Sequence, residues 1–117
     1  MSRISSAGII ELNRGDSLAF KVLVNTGTNL EPCVHQLEDL DSVYFALMEP
    51  NQCFECAILK KKLTQENQDE SGNILVTLRP DDTVCLLPGR YYYQIKLAIH
   101  PESVITIVDK TQFFILE

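Results

Sequence analysis

The sequence predicts an all-β protein, an antiparallel β-sandwich of seven or eight short strands, and three observations predict it. Apolar side chains recur at every second position, most plainly at Tyr91, Tyr93, Ile95, Leu97 and Ile99 against Tyr92, Gln94, Lys96 and Ala98. A pleated strand imposes that period, and aromatic and β-branched residues fit its surface. The periodic stretches are short and are separated by clusters of Gly, Pro, Asn and Asp, the residues that turns require. No long helical stripe competes with them.

In chain order, Ile9–Leu12 is an apolar run that reads as a first edge strand, and residues 13–16 (Asn-Arg-Gly-Asp) turn the chain. Ser17–Val24 alternates, with Leu18, Phe20, Val22 and Val24 on one face, and residues 25–29 are turn chemistry. Leu30–Gln36 contains Pro32, which cannot donate to a ladder and suits an edge or a crossing segment. Leu37–Asp41 is a polar corner. Ser42–Met48 is a strand with apolar residues on both faces, which predicts burial on both sides. Residues 49–52 turn the chain into Cys53–Leu63. A helical stripe fits part of that stretch, but a strand closing a hairpin with Ser42–Met48 is preferred.

Glu66–Asn73 has no apolar residue and reads as a mobile, solvated loop. Asn73–Arg79 alternates again, with Ile74, Val76 and Leu78 inward. Pro80 stops that strand, Asp81 and Asp82 can bond nearby amides, and Pro88-Gly89 turns into the central strand that ends at Ile99. Residues 100–103 make a short connection. Val104–Val108 and Phe113–Leu116 form the last strand, and the break at 109–112 is either a bulge or a change of sheet. Such a succession favours an immunoglobulin-like sandwich over any α/β fold. Without an internal repeat or linker, residues 1–117 form one domain.

Length and composition agree. At 117 residues, 45% apolar and 22% charged, the chain can bury a core without a disulfide or a metal. The net charge of −6 and the single basic run, Lys60-Lys61-Lys62, are a poor match to a nucleic-acid groove. The first residues hold no signal-peptide core, and no window reaches the roughly 18 apolar residues that a membrane span needs. The expectation is a chain made in a cytoplasm, with four free, buried thiols.

Four constellations could carry chemistry. Cys33 and His35 with Cys53 and Cys56 supply the donors of a tetrahedral zinc site. If Cys53–Leu63 is a strand, however, residues three apart point to opposite faces, so no metal is expected. Cys33 or Cys85 beside His35 or His100 could make a nucleophile pair, but no helix or signature activates a thiol there. The carboxylates of Glu38, Asp39, Asp41, Asp69, Glu70, Asp81 and Asp82 could bind calcium or serve a glycosidase, yet all fall where turns favour Asp. Tyr91 and Tyr93 belong on the core face, and one tyrosine here can bond back to the preceding turn. Tyr92 and Lys96 face outward and, with Tyr44, are candidate interface residues.

Gly15-Asp16-Ser17 before an alternating strand, Asp41-Ser42-Val43-Tyr44-Phe45 opening another, and Asp81-Asp82-Thr83 followed by Leu87-Pro88-Gly89-Arg90-Tyr91-Tyr92-Tyr93-Gln94-Ile95 form an ordered set. With the closing residues 106–108 and 113–115, this set resembles the N-terminal domain of phage upper baseplate proteins and related small immunoglobulin-like proteins of tailed phages and prophages. The resemblance implies a non-enzymatic structural or adaptor protein of a virion (baseplate, tail or fibre) without a cofactor. It also implies contacts with other phage structural proteins, often in homo-oligomers, and a place in the virion or the host cytoplasm. It implies no catalytic residue, and charge and hydropathy lead to the expectation of no nucleic-acid or membrane partner. The other reading is a small carbohydrate-binding module, with Tyr44, Tyr92 and one of Phe113 and Phe114 as its aromatics.

Overall fold

The alternation from Tyr91 to Ile99 becomes the middle of the molecule. The computed structural model describes residues 2–5, 8–27, 30–100 and 102–117, so the predicted turns at 25–29 and 100–103 fall partly outside it, at Thr28, Asn29 and Pro101. Eight strands form among the described residues: β1 (Ser2–Ile4), β2 (Ile10–Asn13), β3 (Leu18–Leu23), β4 (Ser42–Met48), β5 (Leu59–Leu63), β6 (Asn73–Leu78), β7 (Gly89–Ile99) and β8 (Ser103–Leu116). Six make one mixed sheet in the order β1-β2-β8-β7-β4-β5, and β3 pairs with β6 in a second, antiparallel sheet. The protein is all-β, and among the described residues the one α-helical piece is the turn Pro80–Thr83.

Alternation dictates which side of each strand is buried. Along β7, Tyr91, Tyr93, Ile95 and Leu97 are buried and the residues between them are half-buried. On β6, Ile74, Val76 and Leu78 are fully buried while Leu75 and Thr77 are exposed. Phe20 of β3 meets Phe45 of β4 at 6.2 Å and Tyr93 at 6.4 Å, edge to face, so the rings join the two sheets into one core. Tyr93 also stacks on Phe45 at 5.6 Å and meets Phe113 of β8 at 6.2 Å. Each of the buried rings, Phe45, Tyr93 and Phe113, adds about 1.5–3 kcal/mol through burial, and each aromatic contact about 0.5–1.5 kcal/mol more. Both faces of β4 are covered, as its composition predicts: Ala46 and Met48 are as fully buried as Phe45 and Leu47.

The tyrosine hydroxyls find acceptors at the edge of the core, as a buried phenol requires. Tyr91 Oη donates to the carbonyl of Leu87 at 2.6 Å, closing the turn that feeds β7. Tyr93 Oη donates to the carbonyl of Gly8 at 2.6 Å, tying the segment before β2 to the centre of the sheet. Burial raises both phenol pKa values.

Several expectations are corrected, and two open alternatives, at Leu30–Gln36 and in the last strand, are decided. The Ile9–Leu12 run is not an edge strand: β2 lies between β1 and β8 and runs parallel to β8, with Ile10 opposite Phe113 and Leu12 opposite Ile115. The three residues of β1 are too short to show a period. Cys53–Leu63 is not one strand. Phe54–Cys56 is a 3₁₀ turn, and only Leu59–Leu63 pairs with β4, in the antiparallel hairpin register expected. Leu30–Gln36 forms no strand, only an isolated bridge from Val34 to Asn25, and Leu30 is 94% exposed. The break in the last strand is a bulge, because β8 is continuous and twice gains one residue on β7 between Tyr93 and Lys96. The four cysteines are free but exposed, since all lie in loops and turns.

The loop at 66–73 is solvated as predicted at Glu66, Asn67, Glu70 and Ser71, but it is pinned rather than loose. Gln68 is its hub: Oε1 accepts from the Leu37 amide at 2.7 Å, and Nε2 donates to the carbonyls of His35 at 2.8 Å and Gly72 at 3.1 Å. Gly72 is needed at its place. Its φ is +91°, and a Cβ there would collide with the Val34 side chain.

Candidate binding face

The residues predicted for an interface lie on the outer face of the large sheet, away from the rings. Cross-strand register sets the row Lys62–Tyr44–Lys96–Thr106 across β5, β4, β7 and β8. Tyr44 and Lys96 are therefore direct neighbours, and Tyr44 has a lysine on each side. Tyr92 shares this face but sits four residues along β7, about 13 Å away at the usual rise of a strand. It lies opposite Met48 and 6.0 Å from the Arg90 guanidinium. Tyr44, Tyr92 and Lys96 are all half-buried.

The 3₁₀ turn adds an aromatic that the sequence reading did not single out. Phe54 lays its ring beneath two ammonium groups, Lys60 Nζ at 4.8 Å and Lys96 Nζ at 4.6 Å from its centroid. A cation over a ring is worth about 0.5–1 kcal/mol at an exposed site. No pattern marks Phe54 as an outer-face residue, because its placement depends on the turn rather than on alternation. Two depressions, about 220 and 490 Å³, adjoin here and share Tyr44, Ala98 and Val104. Val104 is 65% exposed. Glu55 also lines the smaller depression. Its carboxyl is held below its ordinary pKa by its own amide, then by the Cys53 thiol and the Lys96 and Lys60 charges.

The other predicted constellations are dispersed or already occupied. Cys33 lies on the loop laced to Asn25, with its amide donating to Asn25 Oδ1 at 2.9 Å, whereas Cys53 and Cys56 belong to the turn that carries Phe54. Among the described residues no group of three His, Cys, Asp or Glu side chains is placed to hold a metal ion. Cys53 and Cys56 are not held on opposite faces of a strand, because the chain bends there in a 3₁₀ turn. His35 Nε2 bonds Asp41 Oδ2 at 2.9 Å. Asp41 is buried, and its carboxylate also accepts from the amides of Glu38 at 3.0 Å and His100 at 3.2 Å. Its pKa is lowered chiefly by the Glu38 amide, against an upward push from burial, with His35 and the His100 amide adding.

Two of the remaining carboxylates serve turns, and Asp39 accepts from Gln65 Nε2 at 3.0 Å. Asp69 accepts from the amides of Ser71 and Asn73, and Asp82 from the amide of Arg79 at 2.7 Å. The aromatics considered for sugar binding are reduced by one. Phe113 is fully buried in the core, because it falls on the inward phase of β8.

Among the described residues no helix is long and apolar enough to cross a membrane. Comparison with protein-family models, curated proteins and solved structures returns no match to this chain.

Proposed function

We propose that the protein is a non-enzymatic structural or adaptor module with an immunoglobulin-like sandwich fold, acting through protein–protein contacts on the outer face of its large sheet. The row Lys62–Tyr44–Lys96, with Phe54 and Val104 beside it, carries this reading. Aromatics with a polar rim are the usual composition of an interface, and three lysines gathered on a protein of net charge −6 favour a partner with acidic side chains. A second copy of this acidic chain fits that description, and the phage resemblance adds other virion proteins as the class of partner.

Two features support the finer fold. The order β8-β7-β4-β5 beside a separate β3–β6 pair follows the G-F-C-C′ and B–E arrangement of immunoglobulin-like domains. The bond from Tyr91 to the Leu87 carbonyl, at the start of the strand equivalent to F, has the character of a tyrosine corner.

Light scattering and native mass spectrometry of the wild type and a Tyr44→Ala/Lys96→Glu double variant test the function. A defined multimer that the double variant dissociates supports assembly through this face. A multimer indifferent to both changes, or a strict monomer with glycan binding that Tyr44→Ala abolishes, overturns it.

A further inference from the structure

The turn that places Phe54 also brings two thiols together. Its backbone closes with the Cys56 amide donating to the Cys53 carbonyl at 3.1 Å, and a turn closed between residues i and i+3 holds their Cα atoms under about 7 Å, within reach of a disulfide. The neighbouring Cys53 thiol also raises the Cys56 thiol above its ordinary pKa. Both cysteines are exposed, so a small oxidant can approach either sulfur. Neither thiol is buried in the core, and packing therefore does not account for the pair.

We propose that Cys53 and Cys56 are a reversible redox pair, forming an internal disulfide by exchange with a small-molecule disulfide of the glutathione class. One cysteine thiolate attacks a sulfur of the oxidant, forming a mixed disulfide and expelling one thiolate, which takes up a proton. The second cysteine, as thiolate, attacks the protein sulfur of that mixed disulfide and expels the other half. Two protein thiols are oxidised, the oxidant's disulfide is reduced to two thiols, and the two cysteine protons end on them. The new bond closes a ring across Phe54 and Glu55, so oxidation fixes the turn that presents Phe54 to Lys60 and Lys96. This inference concerns the thiols alone and does not require the proposed docking function.

The test uses the full chain in a Cys33→Ser/Cys85→Ser background, which removes the other two cysteines, both exposed and outside the turn. The protein is equilibrated with reduced and oxidised glutathione, quenched in acid, alkylated and weighed. The expected product has lost the mass of two hydrogens, carries no glutathione, maps to a Cys53–Cys56 bond and recovers both thiols with dithiothreitol. Adding Cys53→Ser or Cys56→Ser must abolish this product and leave a single glutathione adduct on the remaining thiol. Stable adducts on both cysteines, a disulfide between two molecules, or two thiols still free in oxidised glutathione would each overturn the proposal. Circular dichroism of every variant establishes that the thiols are read on the folded chain.

Discussion

Around Tyr93 the chain is held by rings, and around Gln68 it is held by hydrogen bonds, and the two regions should fail differently. Phe20, Phe45, Tyr93 and Phe113 contribute area and shape, which are non-directional and indifferent to pH. The other region has no strand between β3 and β4 among the described residues. There, Gln68, His35 and Asp41 hold the crossing segment through directed bonds whose partners are backbone groups far along the chain. Truncation in the first region leaves a cavity. Truncation in the second leaves amides and carbonyls without partners, and that cost depends on the charge state of one buried carboxylate.

The largest effect should come from Phe45→Ala, which empties the centre of the ring cluster. A loss of about 3–5 kcal/mol is expected, seen as a lower urea midpoint with an unchanged slope. A loss below about 1 kcal/mol would mean that the rings do not form the core. Asp41→Ala should cost less, about 1–3 kcal/mol at neutral pH, because it strands the Glu38 and His100 amides. Its cost should also depend on pH. The folded pKa of Asp41 lies below the unfolded value, so its contribution is full above about pH 4 and disappears as pH falls through the depressed value. Urea melts across that range should show the Asp41→Ala deficit narrowing in acid, while the Phe45→Ala deficit lacks this narrowing. Equal narrowing in both variants would remove the distinction between the regions.

The two tyrosines link these modes, because each has its ring in the core and its hydroxyl on a backbone carbonyl. Tyr91→Phe and Tyr93→Phe keep the packing and delete one bond each, to Leu87 and to Gly8. Each should cost about 0.5–1.5 kcal/mol by denaturant melts. Hydrogen exchange should distinguish them: Tyr93→Phe should loosen the amides of β2, and Tyr91→Phe those at the start of β7. Loosening of the same amides by both would show that the hydroxyls do not act locally.

This contrast also explains what could be read from the sequence. Ile74, Val76 and Leu78, or Tyr91 to Leu97, announce their faces because a strand converts spacing directly into side. The row through Tyr44 and Lys96 was half legible: alternation put each outward, but only the register between β4 and β7 makes them neighbours. Gln68 and Asp41 were illegible as a pair of pins, since a polar residue in a turn looks the same whether it holds water or a distant amide. Phe54 and the Cys53–Cys56 pair were misread because an 11-residue stretch with short-range apolar alternation was assigned one conformation. The chain instead spends its first residues on a turn and only its last five on a strand. The parallel pairing of β2 with β8 joins residues about a hundred positions apart, which no local pattern encodes.

The smallest predicted effect concerns a third kind of hold, the ion pair. Lys61 is opposite Phe45 in the register of β4 and β5, so its phase points it inward at the edge of the core. Instead of burying a charge, its stem runs along the edge and its ammonium reaches Asp82 Oδ2 at 2.8 Å, on the helical turn after β6. Burial pushes the Asp82 carboxyl up, but Lys61 and the Arg79 amide outweigh it and leave the pKa lowered. Both partners keep some contact with water, so Lys61→Ala should cost only about 0.2–1 kcal/mol. The electrostatic part of that deficit should shrink modestly in high salt, which screens a partly buried pair only in part and leaves ring packing in place. Lys62→Ala, on the outer phase of the same strand, should leave stability within about 0.5 kcal/mol of wild type. If Lys61→Ala instead costs as much as losing Asp41 and the loss persists in salt, then its stem rather than its charge seals the core at β5. The boundary between the two modes of support would then run through a single lysine.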